Sequence, residues 1–115
     1  MGQWSQWYSL DETTIDDYAS DKPGVYIIGL KGNNKYKYPK KQSEIIYIGE
    51  SHDRTILIRL KEHLNGNGNK KVHNHYKKYK LKFCEMCSSD PYATEQNALN
   101  NFAKECGEIP ICNER

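Results

Sequence analysis

The sequence predicts an α+β domain built around a small antiparallel sheet, and three observations carry that expectation. Two runs rich in Ile, Val and Tyr, "GVYIIGL" at 24–30 and "EIIYIG" at 44–49, have the composition of buried strands. The segment "ILIRLKEHL" stacks Ile56, Leu60 and Leu64 at i, i+4 and i+8, the spacing of a helix with one face turned to a core. A second helix is written into "SSDPYATEQNALNNFAKECGE", where Asp90 can cap, Pro91 suits the first turn and Gly107 stops the run.

The remaining elements follow in order. Residues 1–21 hold Trp4, Trp7, Tyr8, Leu10, Ile15 and Tyr18 among polar residues, which predicts an irregular lead or short helix laid over the core by its aromatics. The stretch "KGNNKYKYPKKQ" at 31–42 is turn-forming and joins the first two strands as an antiparallel hairpin with a long Lys-rich tip. After Gly49 the chain turns through "ESHDRT", with Asp53 as the expected cap of the first long helix. A short helix around Val72–Tyr79 and a strand from Lys80 to Met86 come next. The last helix has its apolar stripe on Leu99, Phe102, Ala103 and Cys106, and Pro110 keeps the tail "IPICNER" extended. We expect a lead over 1–21 and one domain over 22–115, since 115 residues suit a single core.

Composition narrows the function classes. A mean hydropathy of −0.93 and the lack of any long apolar run or signal-like N-terminus predict a soluble, intracellular (cytoplasmic) chain with no membrane association. Cys84, Cys87, Cys106 and Cys112 are then expected to be reduced. "CEMC" has zinc-knuckle spacing, but small buried thiols fill cores as readily as they bind metal. The net charge of +2 hides a partition: residues 1–21 carry five acids and no Lys or Arg, while residues 22–82 hold fifteen of the seventeen basic residues. A positive middle between acidic ends suits a polyanionic partner. Lys35, Lys37, Lys40 and Lys41 in the tip, and Lys70, Lys71, Lys77 and Lys78 beyond the first long helix, are the expected phosphate contacts. Aromatics interleaved with them could stack on bases.

Several residues break the core pattern. Tyr26 and Tyr47 put a phenol into each apolar strand. One turn back along the stripe of the last helix from Leu99 stands Glu95, a carboxylate on an inward face that needs a partner. Arg59 and His63 form a second stripe on the earlier helix, and Asn113 follows Pro110. Phenol, guanidinium, imidazole and carboxylate together suffice for phosphodiester hydrolysis. The carboxylate would hold a hard cation, the guanidinium would offset charge on the phosphate, and a phenol or imidazole would take a proton from water.

"GVY" at 24–26, "YIG" at 47–49, "RLKEH" at 59–63, Glu95 near the start of a helix and "PICN" ending at Asn113 resemble the GIY-YIG nuclease family. The resemblance runs over about residues 22–113. It implies a central three-stranded antiparallel sheet flanked by helices and a one-metal endonuclease acting on DNA, double-stranded or branched, with Mg²⁺ or Mn²⁺. Tyr26 and Tyr47 would position or deprotonate the attacking water, either being the base. Arg59 would contact the scissile phosphate, His63 assist proton transfer, Glu95 bind the metal, and Asn113 fix local geometry. Gly24 and Gly49 are the motif glycines, Gly49 letting the chain turn away from the catalytic surface. The interval from Gly49 to Arg59 is longer than the family's usual one, so Arg54 competes for the arginine role; His63 at the helical step favours Arg59. Glu50 stands where the repair branch carries lysine. A non-catalytic nucleic-acid-binding module on the same fold is the alternative, and specificity at this size would come from loops, a homodimer or a larger partner.

Overall fold

A computed structural model of the chain describes residues 3–113. Its core is a sheet in which β2 (Gly24–Leu30) lies between β5 (Ile45–Ser51) and β6 (Leu81–Cys87), antiparallel to both. A fourth strand was not expected: β1 (Tyr8–Ser9) adds to the outer edge of β6, pairing Tyr8 with Phe83 and Ser9 with Lys82. The lead is thus part strand and part helix. Asp11 caps α1 (Glu12–Tyr18) by accepting from the Thr14 amide, and Ile15 is buried.

Helices cover both faces of the sheet. On one face α1, α2 (Ile56–Asn65) and α3 (Lys70–Lys78) supply Ile15, Ile56, Leu60, Leu64 and Val72 to a core with Tyr26, Ile28, Leu30, Leu81 and Phe83. On the other face α4 (Pro91–Cys106) sets Phe102 and Cys106 against Val25 and Ile48. The two faces of β2 are both buried, so its run is apolar throughout rather than alternating.

Two local features position the site. Ile28 pairs with Tyr47 and Gly29 with Ile45, so Ile46 is the extra residue of a β-bulge. The bulge turns both Ile46 and Tyr47 to the α2 face while Ile45 and Ile48 face α4, which strict alternation would forbid. The second feature is the cap of α2. Thr55, not Asp53, accepts from the Ile58 amide, because Ser51 Oγ donates to the Arg54 carbonyl and delays the helix by a tight turn. Asp90 and Gly107 bound α4 as expected.

The tip between β2 and β5 folds down instead of projecting. Its short ribbon, β3 (Tyr36–Lys37) with β4 (Gln42–Ser43), leads Lys40 onto the end of α4, where its amide donates to the Cys106 carbonyl. Tyr38 is buried edge-on against Phe102, with ring centroids 5.0 Å apart. Its hydroxyl donates to the Ile45 carbonyl and accepts from the Ile111 amide, so it cannot stack on a base. The tail is not simply extended: the Asn113 amide donates to the Pro110 carbonyl in a turn.

The cysteines do not converge. Cys84, Cys106 and Cys112 are buried, Cys87 is exposed, and all four are free. Burial pushes the Cys84 and Cys112 thiols up to about 12, so both behave as small hydrophobes. Among the described residues, no three His, Cys, Asp or Glu side chains gather as a zinc site would require, and no helix is long and apolar enough to cross a membrane.

Candidate active site

Tyr26, Tyr47, Arg59 and His63 come together where β2, β5 and α2 meet. The Tyr26 and Tyr47 rings stand 6.1 Å apart, and the His63 ring is 5.6 Å from Tyr26 and 5.2 Å from Tyr47. Gly49 lies within β5, not at its end as the sequence suggested, and pairs directly with Tyr26. A Cβ at 49 would stand 2.6 Å from the Tyr26 ring carbon Cζ and from its hydroxyl, so the glycine makes room for the phenol to lie across the strand. Gly24 is pressed by β6 and by α2, where a Cβ would meet the Met86 carbonyl at 2.4 Å and Ile56 at 2.9 Å.

His63 and Tyr26 are fully buried, and His63 Nε2 is 2.8 Å from Tyr26 Oη. The other ring nitrogen, Nδ1, accepts from the Asn69 amide at 3.0 Å. A nitrogen that accepts carries no proton, so in the neutral ring Nε2–H donates to the Tyr26 oxygen. The ring stays neutral because burial, aided by the Arg59 charge, lowers its pKa to about 3. Tyr26 therefore offers its own proton elsewhere. Charge on Tyr47, whose ring stands beside it, further raises the Tyr26 phenol.

Burial raises both phenols above their usual range, Tyr26 the more strongly, and the Arg59 guanidinium pulls each back down. Arg59 Nη1 donates to Glu62 Oε1 at 2.6 Å, and Arg54 Nη1 bonds to the other oxygen of the same carboxylate. The two candidate arginines thus share one anchor. Glu62 was not singled out from the sequence. Its i+3 step from Arg59 was visible there, but its reach to Arg54 depends on the turn before α2.

Glu95 stands in the second turn of α4, half-buried, with Gln96 Nε2 donating to it at 3.3 Å. Burial and then the charge of Glu50 raise its pKa, and Tyr47 in turn senses the Glu95 charge. Glu50 follows Gly49 on β5 and is bonded by His52 at 2.9 Å. A half-buried carboxylate whose charge is opposed by a second one nearby is the donor chemistry a hard cation relieves, so the residues present fit one.

Asn113 completes the edge of β5. Its Oδ1 accepts from the Ile48 amide at 3.0 Å and its Nδ2 donates to the Ile48 carbonyl at 2.8 Å, imitating the strand that is missing there. The Cys112 amide reaches the Ile46 carbonyl beside it. Asn69 was missed by the sequence reading and links three parts of the site. Its amide holds His63, its Oδ1 caps α3 at Val72, and its Nδ2 binds the Cys112 carbonyl. Only the capping role had a sequence signal, an Asn after a glycine-rich break.

The lysines divide into two groups. Lys35 and Lys37 are exposed on the ribbon, Lys40 Nζ donates to the Lys104 carbonyl and Lys41 pairs with Glu105, all near the far end of α4. Lys70, Lys71, Lys77 and Lys78 are exposed along α3, whose N-terminus begins at the Asn69 that holds His63.

The family model of the GIY-YIG catalytic domain matches residues 22–105, which include both tyrosines, Arg59, His63 and Glu95 and stop short of Asn113. No curated protein and no solved structure matches the chain. With the family model covering most of its length and the α+β fold in agreement, the protein belongs to the GIY-YIG family, whose catalytic domain is of nuclease type with nucleic acid as its substrate class.

Proposed function

We infer that the protein is an endonuclease that hydrolyses DNA phosphodiester bonds with the help of one divalent cation. The observation that carries the reading is the hydrogen-bonded order Asn69 to His63 to Tyr26, which engages the fully buried Tyr26 hydroxyl and leaves the partly buried Tyr47 as the phenol that water reaches. Glu95, with Glu50 beside it, would hold Mg²⁺ or Mn²⁺, which when bound polarises the phosphate and stabilises the leaving oxygen.

The chain's own residues do the rest. Tyr47 in its ionised form takes the proton of the attacking water, and Arg59 both stabilises that phenolate and balances charge developing on the phosphate. His63 is too buried and too weakly basic to exchange protons at neutral pH, so its part is to orient Tyr26. Asn113 holds the β5 backbone at Ile48, next to Tyr47. DNA lies along α3, where four exposed lysines give salt-dependent phosphate contacts.

The test is cleavage of supercoiled plasmid and of branched DNA with Mg²⁺ or Mn²⁺ by wild type, Glu95→Ala and Tyr47→Phe. Wild-type nicking that disappears in both variants is the expected result. Equal activity in all three would defeat the reading. DNA binding without nicking by any of them would leave a binding module.

A further inference from the structure

We propose that Arg54 is a second phosphate-contacting residue, paired with Arg59 through Glu62 so that the two guanidinium groups face neighbouring phosphates of one strand. The proposal rests on the phosphodiester-cleaving reading above. Arg54 lies in the turn that lengthens the path from Gly49 to α2, and Ser51 Oγ fixes that turn by donating to the Arg54 carbonyl at 2.5 Å. Glu62 takes one N–H from each arginine, Oε1 from Arg59 and Oε2 from Arg54. Each guanidinium carries five N–H donors in a rigid fork, so most of each fork is left for a ligand.

Against Glu62 alone the two guanidinium groups leave one positive charge to draw a phosphodiester oxygen, and the Glu50 and Asp53 carboxylates on the cleft they share are what a cation held at Glu50 and Glu95 would offset. Both arginines line a cleft of about 150 Å³ with Glu50, Ser51, His52 and Asp53, on the strand that carries Tyr47. Their side chains keep 48% and 28% of their surface open, so the cleft is reachable from solvent. Arg59 is the cation that Tyr26, Tyr47 and His63 all sense, which assigns it the scissile phosphate. Arg54 stands across Glu62 from it and takes the next phosphate along.

The experiment measures fluorescence anisotropy of a labelled DNA duplex over a salt series in EDTA, for wild type, Arg54→Ala and Arg54→Lys, with steady-state cleavage in Mg²⁺ alongside. Arg54→Ala should make the plot of log affinity against log salt shallower by about 0.9, one phosphate contact. It should also raise KM roughly tenfold with kcat changed by less than about threefold. Arg54→Lys should restore the salt slope, which a merely structural role would not predict. An unchanged slope and affinity in Arg54→Ala overturns the proposal, as does a wild type that binds no duplex. A fall in kcat with KM and slope unchanged overturns it too. A wild type that binds but never cleaves removes the hydrolytic reading, and the salt slopes still decide the role of Arg54.

Discussion

Gly49 and Tyr26 stand opposite each other on neighbouring strands, and the phenol ring occupies the space a side chain at 49 would need. The Tyr26 hydroxyl is then held by His63 from α2. An added methyl group meets Tyr26 and Tyr47 at 2.6 Å, and the Tyr26 ring cannot retreat, since it is fully enclosed. Gly49→Ala should therefore cost about 1–3 kcal/mol by overpacking. Its cleavage rate should fall by at least about a hundredfold, because a displacement of under an ångström misaligns both phenols. Urea unfolding and initial cleavage rates check this; a stable, fully active Gly49→Ala would remove the steric account of the motif.

The buried His63 makes a prediction about acid stability. Its pKa is about 3 in the folded chain and 6.5 in the unfolded one. Between those values the unfolded chain binds more protons, so this group adds stability as pH rises to about 6.5 and nothing beyond. Tyr26, Tyr47 and Arg59 surround the ring, and none of them can neutralise an imidazolium. The contribution lost on full acidification is on the order of 5 kcal/mol. His63→Gln can donate to Tyr26 and accept from Asn69 without titrating. The gap between wild type and this variant, measured by urea unfolding, should shift in favour of the variant from pH 7 to pH 4. A constant gap would mean that His63 is not held neutral.

The two tyrosines should separate kinetically. Burial raises the Tyr47 phenol, so a small, growing fraction is ionised through neutral pH, and log kcat should climb with near-unit slope from about pH 6 to 9 if Tyr47 is the base. Tyr47→Phe should lose about 10²–10⁴-fold in kcat and with it this slope. Tyr26→Phe keeps the ring that fills the space over Gly49 and loses only the hydroxyl that His63 holds. It should retain the pH slope with a smaller loss. The reverse pattern would make Tyr26 the base and require the opposite His63 tautomer.

What could be read from the sequence was whatever depends on neighbours along the chain. The runs around Tyr26 and Tyr47, the stripe Ile56–Leu60–Leu64, and the bounds of α4 at Asp90 and Gly107 are local signals, and the structure has them. What could not be read depends on contacts between distant segments. Strand β1 is two residues long and exists only because β6 offers an edge. The bulge at Ile46 is decided by how β5 meets β2 and Cys112, and nothing in "EIIYIG" announces it. Tyr38 looked like an exposed aromatic among lysines until Phe102 and the Ile45 carbonyl claimed it. Candidate site residues were legible as misfits in apolar faces, whereas Asn69 and Glu62 sit in polar surroundings where nothing is out of place.

Asn113 offers a test of how far edge support controls the site. It lies outside the matched family region, yet both ends of its amide bind Ile48, the residue between Tyr47 and Gly49. Ile48 is almost fully buried, so Asn113→Ala strands an amide and a carbonyl that water reaches poorly, at a cost of about 1–3 kcal/mol. For a domain of this size that is a drop in Tm of about 4 °C per kcal/mol. Asn113→Asp keeps the acceptor for the Ile48 amide but turns a carboxylate oxygen to the Ile48 carbonyl. It should therefore be no more stable than the alanine variant at pH 7 and should recover as the carboxylate is protonated below about pH 4. Hydrogen exchange at Ile48 reads the same event directly: its amide should exchange faster in both variants, while that of Ile27, on the interior strand, holds. If Ile48 stays protected in Asn113→Ala, the backbone of β5 is fixed by β2 and Cys112 alone, and Asn113 must act on the substrate side instead.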